Sequence, residues 1–135
     1  MNDLEYIDLQ MSFVMDWRVE RGNLIFEIEA CLTSKHPYYS APKANEAGCW
    51  IQGKLEFESP TDIKGLKDKE DVPSTIDPDG SQDFGEIEEL RAITAEQWLI
   101  SGEFGEVLIS DSILRIHLEN TTAEQGAAGN PLPVE

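Results

Sequence analysis

Residues 23–33, NLIFEIEACLT, constrain most strongly what this chain can fold into. Leu24, Phe26, Ile28, Ala30 and Leu32 fall on one face of an extended segment, and Glu27, Glu29 and Thr33 fall on the other. A period of two is strand geometry, and its apolar face needs a second layer to cover it. Upstream, Ile7, Leu9, Met11, Phe13, Met15 and Trp17 alternate with Asp8, Gln10, Ser12, Asp16 and Arg18. Glu20-Arg21-Gly22-Asn23 between the two runs supplies turn chemistry, so an N-terminal hairpin is expected.

The pattern recurs along the chain. In CWIQGKLEFE, residues 49–58, Cys49, Ile51, Leu55 and Phe57 point one way, and Ser59-Pro60 ends the run because proline cannot donate to a ladder. DIKGL at 62–66 reads as a short extended piece, and KDKEDVPSTIDPDGSQD reads as a long loop. Strands return at 84–93, 97–104, 106–110 and 113–119, where Leu114, Ile116 and Leu118 oppose Arg115, His117 and Glu119. A mainly β, single-domain antiparallel sandwich or small barrel of about seven or eight strands is expected over 1–119. Over 86–97 a short helix is the alternative, because Ile87, Leu90 and Ile93 sit near a helical period. After Asn120, TTAEQGAAGNPLPVE has almost no large apolar residue, and a disordered tail is expected over 120–135.

Charge narrows the function classes. With 27 acidic and 10 basic residues the net charge is −17, a field that repels nucleic-acid phosphates and anionic lipid surfaces. A basic protein partner is the class this field attracts. MNDLEYIDLQ lacks the basic and apolar regions of a signal peptide, and no run approaches the roughly 18 apolar residues of a membrane span. A soluble, cytoplasmic protein is the expectation, and exposed edge strands would allow a sheet-extending homodimer.

Candidate sites are few. The loop SKHPYYSAPKANEAG at 34–48 gathers His36, Tyr38 and Tyr39 between two strands, and with Trp50 it is the candidate binding surface. The competing reading is that Tyr38 and Tyr39 cover an open end of the core. Cys31 and Cys49 occupy opposite strand phases, which argues against a disulfide if their strands are neighbours. A zinc set of Cys31, His36 and Cys49 matches no closed four-ligand spacing. In IDPDGSQDFGE, Asp77, Asp79, Ser81, Asp83 and Glu88 take positions 1, 3, 5, 7 and 12 of a calcium-binding loop, but glycine is not at position 6. Asp77-Pro78-Asp79-Gly80 is what a type I turn wants, with Pro at i+1 and Gly at i+3, and the segment reads as a turn closing a long acidic loop, with Phe84 re-entering the core. His117 has the chemistry of a general base, but on the outward face beside Glu119 and Arg115 it reads as a solvated strand histidine. The glycines of GEFGE, 102–106, read as a bulge or tight turn rather than a phosphate cradle. No residue is assigned a catalytic role.

DPDGSQDFGEIEEL and SGEFGEVLIS together resemble stretches of small acidic β-rich bacterial proteins, some of them immunity-protein-like. The resemblance covers roughly residues 20–118 and implies a non-enzymatic protein-binding module, such as a neutraliser of a basic partner. The alternatives are a ligand-binding or enzymatic barrel using the 34–50 loop, and a β domain stabilised by calcium.

Overall fold

The computed structural model of the chain describes residues 6–39, 41, 49–78, 80 and 82–119. The expected tail at 120–135 and most of the loop at 40–48 therefore lie outside the described residues. The first hairpin forms as its alternation requires, from β1 (Ile7–Glu20) and β2 (Asn23–Leu32). Arg21 and Gly22 form its tip, both at positive φ. On β2, Leu24, Phe26, Ile28, Ala30 and Leu32 are all buried. β3 (Cys49–Glu58) pairs antiparallel with β2, and β10 (Ile113–Leu118) pairs with β3, giving a sheet in the order β1-β2-β3-β10.

A second antiparallel sheet covers the first, in the order β4-β9-β8-β7. Its strands are β4 (Asp62–Lys64), β7 (Ile87–Thr94), β8 (Gln97–Gly102) and β9 (Gly105–Ser110). One hydrophobic cluster draws on both sheets. At its centre Phe26 and Phe104 lie 5.0 Å apart between ring centroids, Trp17 meets Phe84 edge-on at 4.9 Å, and Phe57 meets Phe26 at 6.2 Å. Each such ring stabilises by about 2–3 kcal/mol on burial. The architecture is the expected mainly β sandwich, and no helix among the described residues is long and apolar enough to cross a membrane.

Two expectations are corrected. The segment at 86–97 is not helical: it is the strand β7, the turn at Ala95 and Glu96, and the start of β8. Its register slips between Ile87 and Glu89 and again between Ala92 and Thr94. An extra residue at a bulge sets successive inward positions three apart, and three apart also mimics a helix. The long loop also contains more order than its composition suggests, namely a 3₁₀ turn at Lys69–Asp71 and a small hairpin of β5 (Thr75–Ile76) and β6 (Gln82–Asp83). These two short strands account for the excess over the expected count.

β1 departs from simple alternation for the same reason. Its inward set is Ile7, Ser12, Val14 and Trp17 rather than the odd-numbered series, and Met11 is 42% exposed. Asp8 faces Cys31 but Phe13 faces Glu29, so β1 carries extra residues that invert the side-chain phase. Buried Ser12 repairs the interrupted ladder: its Oγ accepts from the Cys31 amide at 2.9 Å and donates to the Asp8 carbonyl at 2.8 Å.

The sheets are tied at one side by the β3–β4 and β9–β10 connections. The Thr61 amide donates to the Ser110 carbonyl at 3.0 Å, and Ser112 Oγ donates to the Glu58 carbonyl at 2.8 Å. At the β8–β9 hairpin, Phe104 turns wholly into the core while Gly105 adopts φ +125°. A Cβ on Gly105 would overlap the Gly65 carbonyl oxygen, whereas one on Gly22 would meet nothing within 4 Å. Gly105→Ala is therefore expected to cost ~3 kcal/mol or more, combining left-handed strain with a backbone clash. Gly22→Ala, which bears the strain alone, is expected to cost about 1 kcal/mol. Chemical denaturation of both variants, with equal losses as the outcome that refutes the packing argument, checks this.

Candidate functional site

The inverted phase of β1 has a local consequence, since it turns Phe13 away from the core. Phe13 sits where the two sheets meet along the edge of β1. There it forms an isolated antiparallel bridge with Glu86. Beside it the Val14 amide donates to the Gly85 carbonyl at 2.9 Å, and the Phe84 amide donates to the Val14 carbonyl at 2.8 Å. Gly85 makes this turn at φ +95°, and its amide donates to Asp83 Oδ1 at 2.9 Å. The β5–β6 hairpin closes over the seam, its tip held by the Gly80 amide donating to the Asp77 carbonyl at 2.8 Å.

The result is an open cleft of about 430 Å³. Phe13 supplies its apolar wall, and Glu29, Asp77, Asp83, Glu86, Glu88 and Glu103 supply carboxylates from four separate parts of the chain. Among the described residues no lysine, arginine or histidine lines it. Low-dielectric walls of one charge sign focus the field and raise the local concentration of counter-charged groups. The chemistry this favours is capture of a guanidinium or ammonium group, with the alkyl stem lying against the Phe13 ring.

The acidic loop read from the sequence is partly realised here. Asp77, Asp83 and Glu88 do line one cleft, while Asp79 and Ser81 lie outside the described residues. Among the described residues no group of three or more His, Cys, Asp or Glu is placed to hold a metal ion. The Gly80 amide bonds back to the Asp77 carbonyl, as the expected turn requires, and Phe84 is buried as expected. Phe13, Glu29, Glu86 and Glu103 were not singled out from sequence. GEIEE and GEFGE signalled the acidity, but the bulge that brings Phe13 to them leaves no sequence mark.

The described residues of the tyrosine loop lie against the core. Tyr38 and Tyr39 are partly buried against the core cluster. His36 Nδ1 accepts from the Tyr38 amide at 3.0 Å, and the two rings lie 5.5 Å apart. Burial lowers the His36 pKa from its ordinary value. Trp50 is on the outer face of β3, with Nε1 donating to the Met11 carbonyl at 2.9 Å, and among the described residues no ring contact joins it to His36 or Tyr38. Tyr38 and Tyr39 cap an end of the core.

Cys31 faces Trp50 and Cys49 faces Leu32, so the two thiols point to opposite faces of adjacent strands; both are free and buried. Burial, then the Asp8 charge, pushes the Cys31 thiol up, which makes it a poor nucleophile. His117 is exposed on β10, with Nε2 2.9 Å from Glu56 Oε1. Glu56 also accepts from Asn23 Nδ2 at 2.8 Å, and these two bonds, the Asn23 bond foremost, hold its carboxyl below the ordinary range.

The chain matches no family model, and neither a curated protein nor a solved structure is similar to it.

The His36 shift gives a pH test. Its folded pKa lies below the unfolded 6.5, so on acidification the unfolded chain takes up the proton first. Stability from neutral His36 is complete above pH 6.5 and is lost as pH falls below that value. His36→Asn keeps an acceptor for the Tyr38 amide but does not titrate. The wild type is expected to lose stability relative to this variant between pH 7 and 5 in urea melts. Parallel pH dependence of the two would refute it.

Proposed function

We propose that this protein is a non-enzymatic protein-binding module that engages a basic partner through the acidic cleft at the β1–β7 seam. The observation that carries this reading is the cleft itself, where, among the described residues, carboxylate side chains including Glu86, Glu88 and Glu103 but no basic side chain line the wall beside the half-buried Phe13 ring. A net charge of −17 extends the same field over the molecule and accelerates encounter with a cationic surface. The immunity-like resemblance points the same way, toward neutralisation of a basic protein. Free, buried cysteines support a reducing compartment, the cytoplasm, as the site of action.

A ligand-binding or catalytic barrel interior is the weaker reading. The space between the sheets is filled by Phe26, Phe57, Phe104 and Trp17 in mutual ring contact, and the residues proposed to line such a pocket, Tyr38 and Tyr39, pack onto that core. Nucleic acids and anionic membranes would have to approach against the field.

The test is binding of basic partner candidates from the protein's own cellular extract, with the wild type beside Glu86→Gln/Glu88→Gln/Glu103→Gln. Neutralising these exposed carboxylates is expected to weaken capture at least about tenfold, or ~1.4 kcal/mol, and rising salt is expected to slow association. A partner held equally by both proteins, or indifferent to salt, would overturn the assignment of the cleft.

A further inference from the structure

The sheets end in edges of unequal character. β4 is three residues long and bears Asp62 and Lys64, and β7 carries two register shifts and the exposed pair Glu88 and Glu89. Both are blunted in the ways that prevent edge-to-edge pairing. β10 is not: it pairs with β3 through six consecutive residues without a shift, and no described strand covers its other side.

The direction of its backbone groups follows from the ladder. The Glu119 amide donates to the Gln52 carbonyl at 2.9 Å, continuing the β10–β3 register. Hydrogen-bonded and non-hydrogen-bonded residues alternate in an antiparallel pair. Ile113, Arg115 and His117 therefore turn their amides toward β3, and Leu114, Ile116 and Leu118 turn theirs outward. The side chains of the latter three are partly buried and pack against the core.

The segment Leu114-Arg115-Ile116-His117-Leu118 is palindromic in chemical class about Ile116. A two-fold interface needs that property, because residue i must meet j while j meets i. Centred on Ile116, an antiparallel pair of copies sets Leu114 against Leu118 of the second copy and Ile116 against itself. It satisfies roughly six outward backbone groups on each side. The charge agrees. No carboxylate lies between Ile113 and Leu118 in a chain of net charge −17, and Arg115 and His117 are already paired with Glu58 and Glu56. Two copies repel over most of their surface but not along this stripe.

We infer that two copies of this chain pair antiparallel through the outer edge of β10, joining their sheets into one continuous eight-stranded sheet with Ile116 on the two-fold axis. The occupant is a second copy rather than an unrelated strand because the edge is self-complementary in register, side-chain class and charge. The acidic cleft lies at the opposite side of the sheet, along β1, so both clefts of the dimer stay open.

Sedimentation velocity on the full chain from roughly 1 µM to 1 mM, with amide hydrogen exchange at each end of that range, tests this. The expected result is a monomer–dimer equilibrium in which Leu114, Ile116 and Leu118 amides gain at least tenfold protection as concentration rises. Ile116→Pro removes one outward N–H, which an edge strand tolerates, and is expected to abolish the dimer. Arg115→Glu/His117→Glu, at exposed positions, places like charges across the axis and is expected to do the same with a cooperative melt retained. A monomer at every concentration would overturn the inference. So would a dimer that survives both variants, or protection independent of concentration, which would mean that residues 120–135 cover the edge themselves.

Discussion

Two backbone hydrogen bonds at Val14 hold this structure in its particular form. Through them β1, already an edge of the first sheet, takes Phe84 and Gly85 as neighbours, so the first sheet is hydrogen-bonded to the segment that leads into β7 of the second. The contact needs β1 to bend and rotate, and its extra residues opposite β2 provide that twist. The bend exposes a stretch of β2 amide, and the buried hydroxyl of Ser12 answers it. Trp17, further along, then lies flat enough in the core to meet both Phe84 and Phe104, with its Nε1 donating to the Lys67 carbonyl at 3.2 Å.

This explains how much was legible in the sequence. β2, β3 and β10 are regular strands whose alternation gave their inward faces directly, from Leu24 to Leu32, from Cys49 to Phe57 and from Leu114 to Leu118. β1 and β7 are bulged, and a bulge converts a period of two into an irregular one. On β7 the irregularity looked helical; on β1 it was hidden, because Phe13 and Val14 are both apolar and either could have pointed inward. The acidity of the cleft could be read from composition. Its location could not, since it depends on Phe13, Glu29, Asp77, Asp83, Glu86, Glu88 and Glu103 converging at a bend that only tertiary packing creates.

The proposed binding cleft and the proposed pairing edge lie on opposite sides of one sheet. The bent, hydrogen-bonded edge at β1 accumulates carboxylates; the straight edge at β10 excludes them. Strand regularity and charge therefore vary together across the molecule. The cost of concentrating negative charge at the seam is mutual repulsion among its carboxylates. It is carried by a region anchored in the aromatic core through Phe84.

The bridge between Phe13 and Glu86 also orders events in time. The β1–β2 hairpin and the β2–β3 pairing use chain that leaves the ribosome early, but the outer edge of β1 has no partner until residues 84–86 have been synthesised. During that interval the nascent chain presents a long apolar strand with open backbone groups, the situation in which misassembly with another chain competes with folding. Non-local closure of this kind is slow relative to hairpin formation. A bulge that bends a strand away from flat geometry is one of the features that make an open edge a poorer template for such pairing.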